Sequence, residues 1–256
     1  ANRRSIAWAV AEVWRAQGAE VVLTCQDQRT CEAVDREFAA SATIPCDVTR
    51  DGDVADATLR AADALGGGLD MVVHSIAYAP PTALRNRVLD ASWDDFATSQ
   101  RVSAFSLVEV ACEAAPYMAP GGSITALSFL GAQRVIPGYG VMGVAKASLE
   151  ALVRQLAAEL GEEGIRMNCV SPGPVRTVSA RGIRGFNTMA RRHGEVAPLG
   201  RSGSQQEIAE TIAFLATDGA ASITGQTVFV DGGFSIMGLG AEGRDSRSDA
   251  GGREST

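Results

Sequence analysis

The sequence predicts an α/β fold in which a doubly wound, mostly parallel sheet carries helices on both faces. Short β-rich runs alternate with longer stretches of helical periodicity, the pattern of repeated strand–helix–strand units. Glycines end several elements, as at Gly18 and at 66–68. The 256 residues can bury a large core. We therefore expect one domain over residues 1–237, followed by a disordered tail over residues 238–256.

The order of the predicted elements leaves one strand of this fold unaccounted for. Strands are predicted at about residues 19–25, 42–46, 71–76, 122–128, 165–170 and 226–230. Helices are predicted at about residues 5–17, in a segment ending at Phe38, and at 51–65, 92–115, 139–160 and 205–216. A doubly wound fold begins with a strand and a Gly-rich turn, whereas this chain begins with a helix. We expect the functional chain to be longer at its amino terminus, with a first strand between the second and fourth.

Composition and charge narrow the classes of function. No apolar run approaches the roughly 18–20 residues of a membrane span, and no secretory signal opens the chain. The net charge of −7 argues against general nucleic-acid binding, which needs a basic face. Five scattered cysteines are expected to be reduced thiols in a cytoplasmic protein. With two histidines, His74 and His193, a histidine-rich metal site is not expected.

The strongest candidate for chemistry is the pair Tyr139 and Lys146. Lys146 is the single lysine of a chain whose other cations are all arginines. The two residues stand seven positions apart, which places both side chains on one face of a helix. A tyrosine beside an ammonium group can hold or donate a proton at a reacting carbonyl oxygen, and the lysine can grip ribose hydroxyls. The alternative is an ordinary helix that carries a surface lysine.

The segment from Ser128 to Glu150 resembles the catalytic stretch of the enoyl-acyl carrier protein reductases, a branch of the short-chain dehydrogenase/reductase superfamily. Ketone-reducing members commonly use Tyr-x3-Lys, whereas this chain has Tyr-x6-Lys and glycine at position 143. The resemblance covers about residues 1–237. It implies a Rossmann-type fold, a cytoplasmic homotetramer, and catalysis by Tyr139 and Lys146. It further implies that NADH supplies a hydride to the β-carbon of a trans-2-enoyl thioester while Tyr139 stabilises the developing enolate.

The same resemblance assigns residues that hold the cofactor. Ser5 and Ile6 open the first helix, whose N-terminus would face a pyrophosphate. Gln26 and Asp27 end a strand where the 2′ position of the ribose is read, and a carboxylate there favours NADH over NADPH. The other implied cofactor contacts are Asp47, Val48, Ser75, Ile76, Ala77, Lys146, Pro174, Val175 and Thr177. The alternatives are an N-cap serine at position 5 and polar turn residues at 26, 27 and 47, and His74 is expected to be structural.

Substrate contacts are implied over a loop at residues 173–201. The substrate-binding set is Ala79, Phe129, Tyr139, Ile183, Phe186 and Met189. The last three have helical spacing and form either a wall for the acyl chain or an ordinary packing stripe. Six arginines between 176 and 201 would dock an acidic carrier protein, or would form a solvated face. Phe129 replaces a second tyrosine that many family members carry, which leaves Tyr139 as the one catalytic phenol we nominate.

Two other functions remain open at this point. One is a different reaction on the same fold, by a ketoreductase or a tailoring reductase of secondary metabolism. The other is a cofactor-binding sensor without turnover. Tyr-x6-Lys disfavours a standard ketoreductase, and a sensor needs neither Tyr139 nor Lys146 as a pair. The expected substrate is an enoyl thioester on acyl carrier protein or coenzyme A.

Overall fold

The strands are short and all of their pairings are parallel. The computed structural model describes residues 2–85, 87–177 and 185–238. The strands are β1 (Val22–Cys25), β2 (Ala42–Pro45), β3 (Met71–His74), β4 (Ser123–Leu127), β5 (Arg166–Pro172) and β6 (Thr227–Val230). β1 pairs with β2, and the other four form a sheet of order β3-β4-β5-β6. Every residue of β4 and β5 is buried, as expected for parallel strands covered on both faces.

Helices fill the connections between these strands. They are α1 (Ile6–Ala16), α2 (Gln28–Asp35), α3 (Asp53–Ala64), α4 (Pro81–Arg85), α5 (Trp93–Gln100), α6 (Ser106–Ala114), α7 (Gly140–Gly161), α8 (Phe186–Val196) and α9 (Gln205–Leu215). The six strands and the long helices confirm the α/β prediction. The short α4 was not predicted from the sequence. In the described part of the chain, no helix is long and apolar enough to cross a membrane.

The sheet is divided between β1 and β3. Within the described ranges, β1 pairs with β2 alone and β3 pairs with β4 alone. The sequence predicted one sheet with an additional first strand between these two strands. The division between the two sheets falls at that place.

Helix α1 connects the two sheets because it is apolar on two faces. Trp8 and Ala11 pack with Leu23 of β1 and with Phe38, whose ring meets that of Trp8 edge-on at 5.0 Å. Val10 and Val13 pack on the other side against Val170 of β5 and residues of α9. Burial on both sides packs the pair β1 and β2 beside the four-stranded sheet.

The predicted helix at 92–115 is interrupted in its middle. A π-helical turn at Arg101–Phe105 separates α5 from α6. Such a turn inserts an extra residue, so it changes which side chains face the sheet, and it is frequent at functional sites. Here the hydroxyl of Ser103 meets Tyr78 in the segment after β3, and the hydroxyl of Ser106 meets His74, the last residue of β3.

Candidate functional site

The site lies at the carboxyl ends of β3, β4 and β5. These strands are parallel neighbours, so the segments that leave them emerge on one edge of the sheet. The segment after β3 brings Ala79 into the apolar cluster that contains Tyr139. The segment after β4 brings Phe129, whose ring meets the Tyr139 ring edge-on with centroids 4.9 Å apart. The structure thus assembles three of the predicted substrate residues.

Tyr139 immediately precedes α7 and is almost fully buried. The helix begins at Gly140, one residue later than predicted, and Tyr139 occupies its N-cap position. The Tyr139 side chain is 7% exposed. Burial raises the pKa of the phenol well above its usual value because the phenolate would lose hydration. The phenol therefore stays protonated and can donate a hydrogen bond to an oxygen that gains negative charge.

Lys146 lies two turns into α7 and is also buried. Its Nζ donates to the backbone oxygen of Leu127, the last residue of β4, at 2.7 Å. Burial lowers the pKa of Lys146 to about 8, and the neighbouring Cys169 and Glu150 oppose that effect. The ammonium group is thus held at the carboxyl end of β4 and is charged at neutral pH.

Two glycines make room for the Tyr139 ring. A Cβ atom built on Gly131 would lie 2.7 Å from Cε1 of Tyr139, and one built on Gly143 would lie 2.8 Å from the backbone oxygen of Gly131. Both separations are too short for a real side chain. Packing therefore requires glycine at position 143. The same glycine stands where a Tyr-x3-Lys motif would have its lysine.

Sequence patterns did not identify Glu150, a buried carboxylate one turn beyond Lys146. Glu150 is 4% exposed and accepts hydrogen bonds from Ser128 Oγ at 2.6 Å and from Gln133 Nε2 at 2.8 Å. The signal for it was an acid in the apolar face of α7, where Ala145, Leu149 and Val153 are buried. That signal could have identified a buried acid but not its partners.

His74 is buried with one ring nitrogen hydrogen-bonded and with its buried Nδ1 lacking a partner, so its structural role stays a prediction. The ring is fully buried and its Nε2 lies 2.8 Å from Ser106 Oγ, which itself donates to the oxygen of Val102. Because the Ser106 proton is used there, His74 Nε2 donates to Ser106. Burial and the nearby charge of Lys146 lower the pKa of His74 to about 3, so the ring is neutral.

The segment after β3 is held from the other side by the π turn. The backbone nitrogen of Tyr78 donates to Ser103 Oγ at 2.9 Å, and Ser103 Oγ donates back to the oxygen of Tyr78 at 2.8 Å. These reciprocal bonds fix the course of the predicted cofactor-contacting residues at 75–77. No local pattern predicts this contact, because Ser103 lies 25 residues from Tyr78.

The predicted adenosine end of the site is a cavity at the ends of β1 and β2. Its volume is about 450 Å³, and it is lined by Gln26, Asp27, Gln28, Pro45, Asp47, Arg50, Asp53 and Asp56. Asp47 accepts from the backbone nitrogen and hydroxyl of Thr49 at 3.0 and 2.7 Å, which lowers the pKa of its carboxyl group. Asp27 caps α2 through a bond from the nitrogen of Thr30. Gln26 and Asp47 thus share one concave surface.

Four of the other predicted cofactor residues lie in or against two apolar clusters. Val48 is buried in a cluster against which Ile76 packs, so residues that follow β2 and β3 meet there. Ile6 is buried in a second cluster, against which Val175 packs. Ser5 is the N-cap of α1, with its Oγ accepting from the nitrogen of Trp8 at 3.1 Å. Pro174 and Thr177 follow β5 on the same segment as Val175.

A helix, α8, begins at Phe186, one of the predicted substrate residues, and whether it contacts substrate stays a prediction. Phe186 and Met189 are half-buried and lie outside the apolar cluster around Tyr139, while Ile183 lies outside the described residues. The one fully buried side chain described in α8 is His193. Its Nε2 lies 2.7 Å from the oxygen of Asp231, and its ring stacks on Phe234 at 4.4 Å. The described residues include no group of three or more His, Cys, Asp or Glu placed to hold a metal ion.

The chain is similar to known enoyl-acyl carrier protein reductases over most of its length. The family model described as enoyl-(acyl carrier protein) reductase matches residues 1–235. The enoyl-[acyl-carrier-protein] reductase [NADH] FabI of Bacillus cereus is 43% identical over 244 residues, which cover 93% of this chain and 94% of that protein. The corresponding [NADPH] enzyme of Staphylococcus aureus is 40% identical over 242 residues, covering 91% of this chain and 93% of that protein.

Solved structures of such reductases share this fold. The Bacillus cereus reductase with NADP+ and an indole naphthyridinone superposes with a TM-score of 0.88 at 43% identity, covering 93% of this chain and 95% of that one. The Anaplasma phagocytophilum reductase with NAD gives a TM-score of 0.88 at 38% identity, covering 94% of this chain and 92% of that one. By sequence and by structure, the chain belongs to the enoyl-acyl carrier protein reductase family.

Proposed function

We propose that this chain reduces the trans-2 double bond of enoyl thioesters with NADH, as an enoyl-acyl carrier protein reductase of fatty-acid elongation. The observation that carries the proposal is that a buried, protonated phenol and a buried ammonium group lie near the end of β4, Tyr139 against Phe129 and Lys146 on the oxygen of Leu127. Phe129 and Ala79 pack around Tyr139 with apolar surface. This combination suits a thioester whose oxygen becomes negative during reduction.

The residues present fit a nicotinamide dinucleotide. The cavity beside β1 and β2 suits an adenosine moiety, and the N-terminus of α1, capped by Ser5, suits a pyrophosphate. Ser75, Ile76, Ala77, Pro174, Val175 and Thr177 leave the ends of β3 and β5, where a nicotinamide would lie. A bound cofactor would supply the hydride. The protein then supplies binding, orientation and electrostatics.

Tyr139, Lys146 and the apolar residues around them have different tasks in this proposal. The Tyr139 hydroxyl donates to the thioester oxygen and stabilises the enolate, since its raised pKa keeps the proton on the phenol. The Lys146 ammonium binds the ribose hydroxyls of the cofactor and keeps the local potential positive. Ala79 and Phe129 exclude water around the double bond, with Phe186 and Met189 further along the acyl chain.

The preference for NADH rests on the charge of the adenosine cavity. Asp27, Asp47, Asp53 and Asp56 line it, and Arg50, on the same rim, lies 4.0 Å from Asp47. Four carboxylates disfavour the 2′-phosphate of NADPH more strongly than one arginine favours it. Relatives are named with either NADH or NADPH, so the preference is proposed for this chain from its own residues.

We infer that the acyl group is carried by an acidic carrier protein, which would meet the arginines near α8. Arg176, Arg191 and Arg192 are exposed, with Arg191 3.9 Å from Glu195. Arg201 is engaged by two bonds to Glu207, and Arg181 and Arg184 lie outside the described residues. Coenzyme A remains the alternative carrier. A cytoplasmic homotetramer is the assembly we propose from the family resemblance.

The experiment is NADH oxidation with crotonyl and longer trans-2-enoyl thioesters. Tyr139→Phe removes the proposed donor, so turnover should fall by about 10²- to 10³-fold while NADH binding persists. Tyr117→Phe is the matched control, because Tyr117 packs against a different apolar cluster. Absence of turnover in the unaltered chain, despite NADH binding, would contradict the proposal and favour a sensor. Faster turnover of 3-oxoacyl thioesters would favour the tailoring or ketone reductase.

A further inference from the structure

The carboxylate of Glu150 is buried without a salt bridge, although its charge raises the pKa of Lys146. Within the described part of the chain, no cation lies within salt-bridge distance of Glu150, and its two oxygens are satisfied by the neutral donors Ser128 and Gln133. A buried charge is costly unless it is well hydrogen-bonded, and an apolar residue of similar size would often be at least as stable. Global stability therefore does not account for an acid at this place.

Both donors belong to one short segment, residues 128–133. Ser128 is its first residue, bonded through its backbone nitrogen to Val170 of β5 at 2.9 Å. Gln133 is its last residue and reaches inward from the surface to Glu150. Glu150 thus holds both ends of the segment against α7.

The middle of that segment forms the contact surface of the Tyr139 ring. Phe129 meets the ring edge-on, and Gly131 lies so close to it that a side chain could not be accommodated. The intervening turn, Leu130–Ala132, is a single 3₁₀ turn, which has little stability of its own. The position of the phenol therefore depends on how firmly the two ends of the segment are held.

We propose that Glu150 is a positioning residue for the reduction, acting on Tyr139 through residues 128–133. The inference rests on the proposed function for its kinetic consequence. The geometry requires two hydrogen-bonding atoms at position 150, and it does not require the negative charge. Glu150→Gln keeps two polar atoms, since Ser128 Oγ can either donate or accept. Glu150→Leu removes both bonds.

The test compares these two variants with the unaltered chain and with Glu159→Leu, an exposed position on the same helix. We expect Glu150→Leu to lower kcat by about 10- to 100-fold, because a small misplacement of a catalytic group has an effect of that order. Below pH 7, where Lys146 stays charged, Glu150→Gln should keep kcat within about threefold of the unaltered value, and its alkaline limb should move to lower pH because the carboxylate no longer raises the pKa of Lys146. NADH affinity and the melting temperature should change little in either variant.

Hydrogen exchange of the amides at 129–134 gives a readout that needs no turnover. Exchange should accelerate in Glu150→Leu and stay unchanged in Glu150→Gln and Glu159→Leu. Equal kcat in Glu150→Leu and the unaltered chain would overturn the proposal. An equal fall in both Glu150 variants below pH 7 would overturn it in favour of a charge effect on Lys146. If the unaltered chain has no reductase activity, the proposed function fails, and exchange alone decides whether Glu150 holds the segment.

Discussion

The phenol ring of Tyr139 lies directly against the backbone of Gly131, and Gly143 in turn lies against the backbone oxygen of Gly131. A Cβ atom on Gly143 would stand 2.8 Å from that oxygen. Because Gly131 and Gly143 have no side chains, the Tyr139 ring can pack against Gly131, and Gly131 against α7. The space left by the two glycines lets the Tyr139 ring lie buried against the segment that follows β4.

Replacement of Gly131 by alanine should displace the ring and reduce turnover. The added methyl group would meet Cδ1 and Cε1 of Tyr139, so the ring must move. We expect kcat to fall by about 10- to 100-fold, the effect of a displacement near 1 Å. Steady-state kinetics with an enoyl thioester measures it. Gly161→Ala at the end of α7 is the control, since nothing lies within 4 Å of its added carbon. Equal kcat in both variants would show that the ring tolerates the shift.

Lys146 should titrate near pH 8. Its burial lowers the pKa from 10.5 to about 8, so the ammonium charge is present below that pH and is lost above it. Activity that needs this charge should decline as pH rises through about 8. The Tyr139 phenol stays protonated there, because burial raises its pKa.

A single resonance can follow this titration. Lys146 is the chain's one lysine, so labelling with ¹⁵N-lysine gives one side-chain signal. Its midpoint should match the alkaline limb of kcat/KM, which reports groups of the free enzyme. A midpoint at or above the ordinary value of 10.5 would contradict the prediction.

His74 should make the protein less stable in mild acid. Its folded-state pKa of about 3 lies below the ordinary 6.5, so between these values the unfolded chain binds a proton that the folded chain does not. The free energy of unfolding should therefore fall as pH drops below about 6.5, by up to about 1.4 kcal/mol per pH unit from this residue.

Urea unfolding at pH 7.5, 6.5 and 5.5 measures this dependence. His74→Gln keeps a donor for Ser106 and removes the titration, so its stability should depend less on pH over this range. The control is His193→Gln, which removes the second histidine, whose pKa is also lowered by burial. An unchanged pH slope in His74→Gln would assign the acid sensitivity to other groups.

The sequence predicted the strands, the α/β class and the positions of Tyr139 and Lys146 because these depend on short-range patterns. Hydrophobic periodicity marks strands and helices, and it placed the start of α7 within one residue, so that Lys146 lies in the helix and Tyr139 at its N-cap. Glu150 escaped prediction because its partners lie 22 and 17 residues earlier, where no local pattern connects them. His193 escaped because its contacts are with Asp231 and Phe234, across the fold.

The π turn and α4 show a second limit of structure prediction from sequence. Residues 92–115 have continuous helical periodicity, and the extra residue at Arg101–Phe105 is favoured by tertiary contacts of Ser103 and Ser106. A helix of five residues such as α4 has too few positions to establish a period. Local sequence could identify neither feature.

The choice between NADH and NADPH should depend on the charge of Asp27. This effect can be separated from the role of Asp27 as the N-cap of α2. Asp27 both lines the adenosine cavity and caps α2, accepting from the nitrogen of Thr30 at 2.7 Å. Asp27→Ser keeps a capping oxygen and removes the carboxylate, so α2 should be retained. The ratio of kcat/KM for NADPH to that for NADH should rise by about tenfold, since one like charge near the 2′-phosphate is removed.

The control is Asp35→Ser, which removes an equal charge at the far end of α2, outside the cavity lining. Kinetics with both cofactors at low ionic strength measures the ratio, and added salt should reduce the difference between the variants, because ions screen exposed charges. If Asp27→Ser and Asp35→Ser change the ratio equally, net charge governs the choice and the cavity does not. If neither changes it, the remaining acids Asp47, Asp53 and Asp56 are sufficient to exclude the phosphate, and replacement of Asp47 becomes the next test of the same surface.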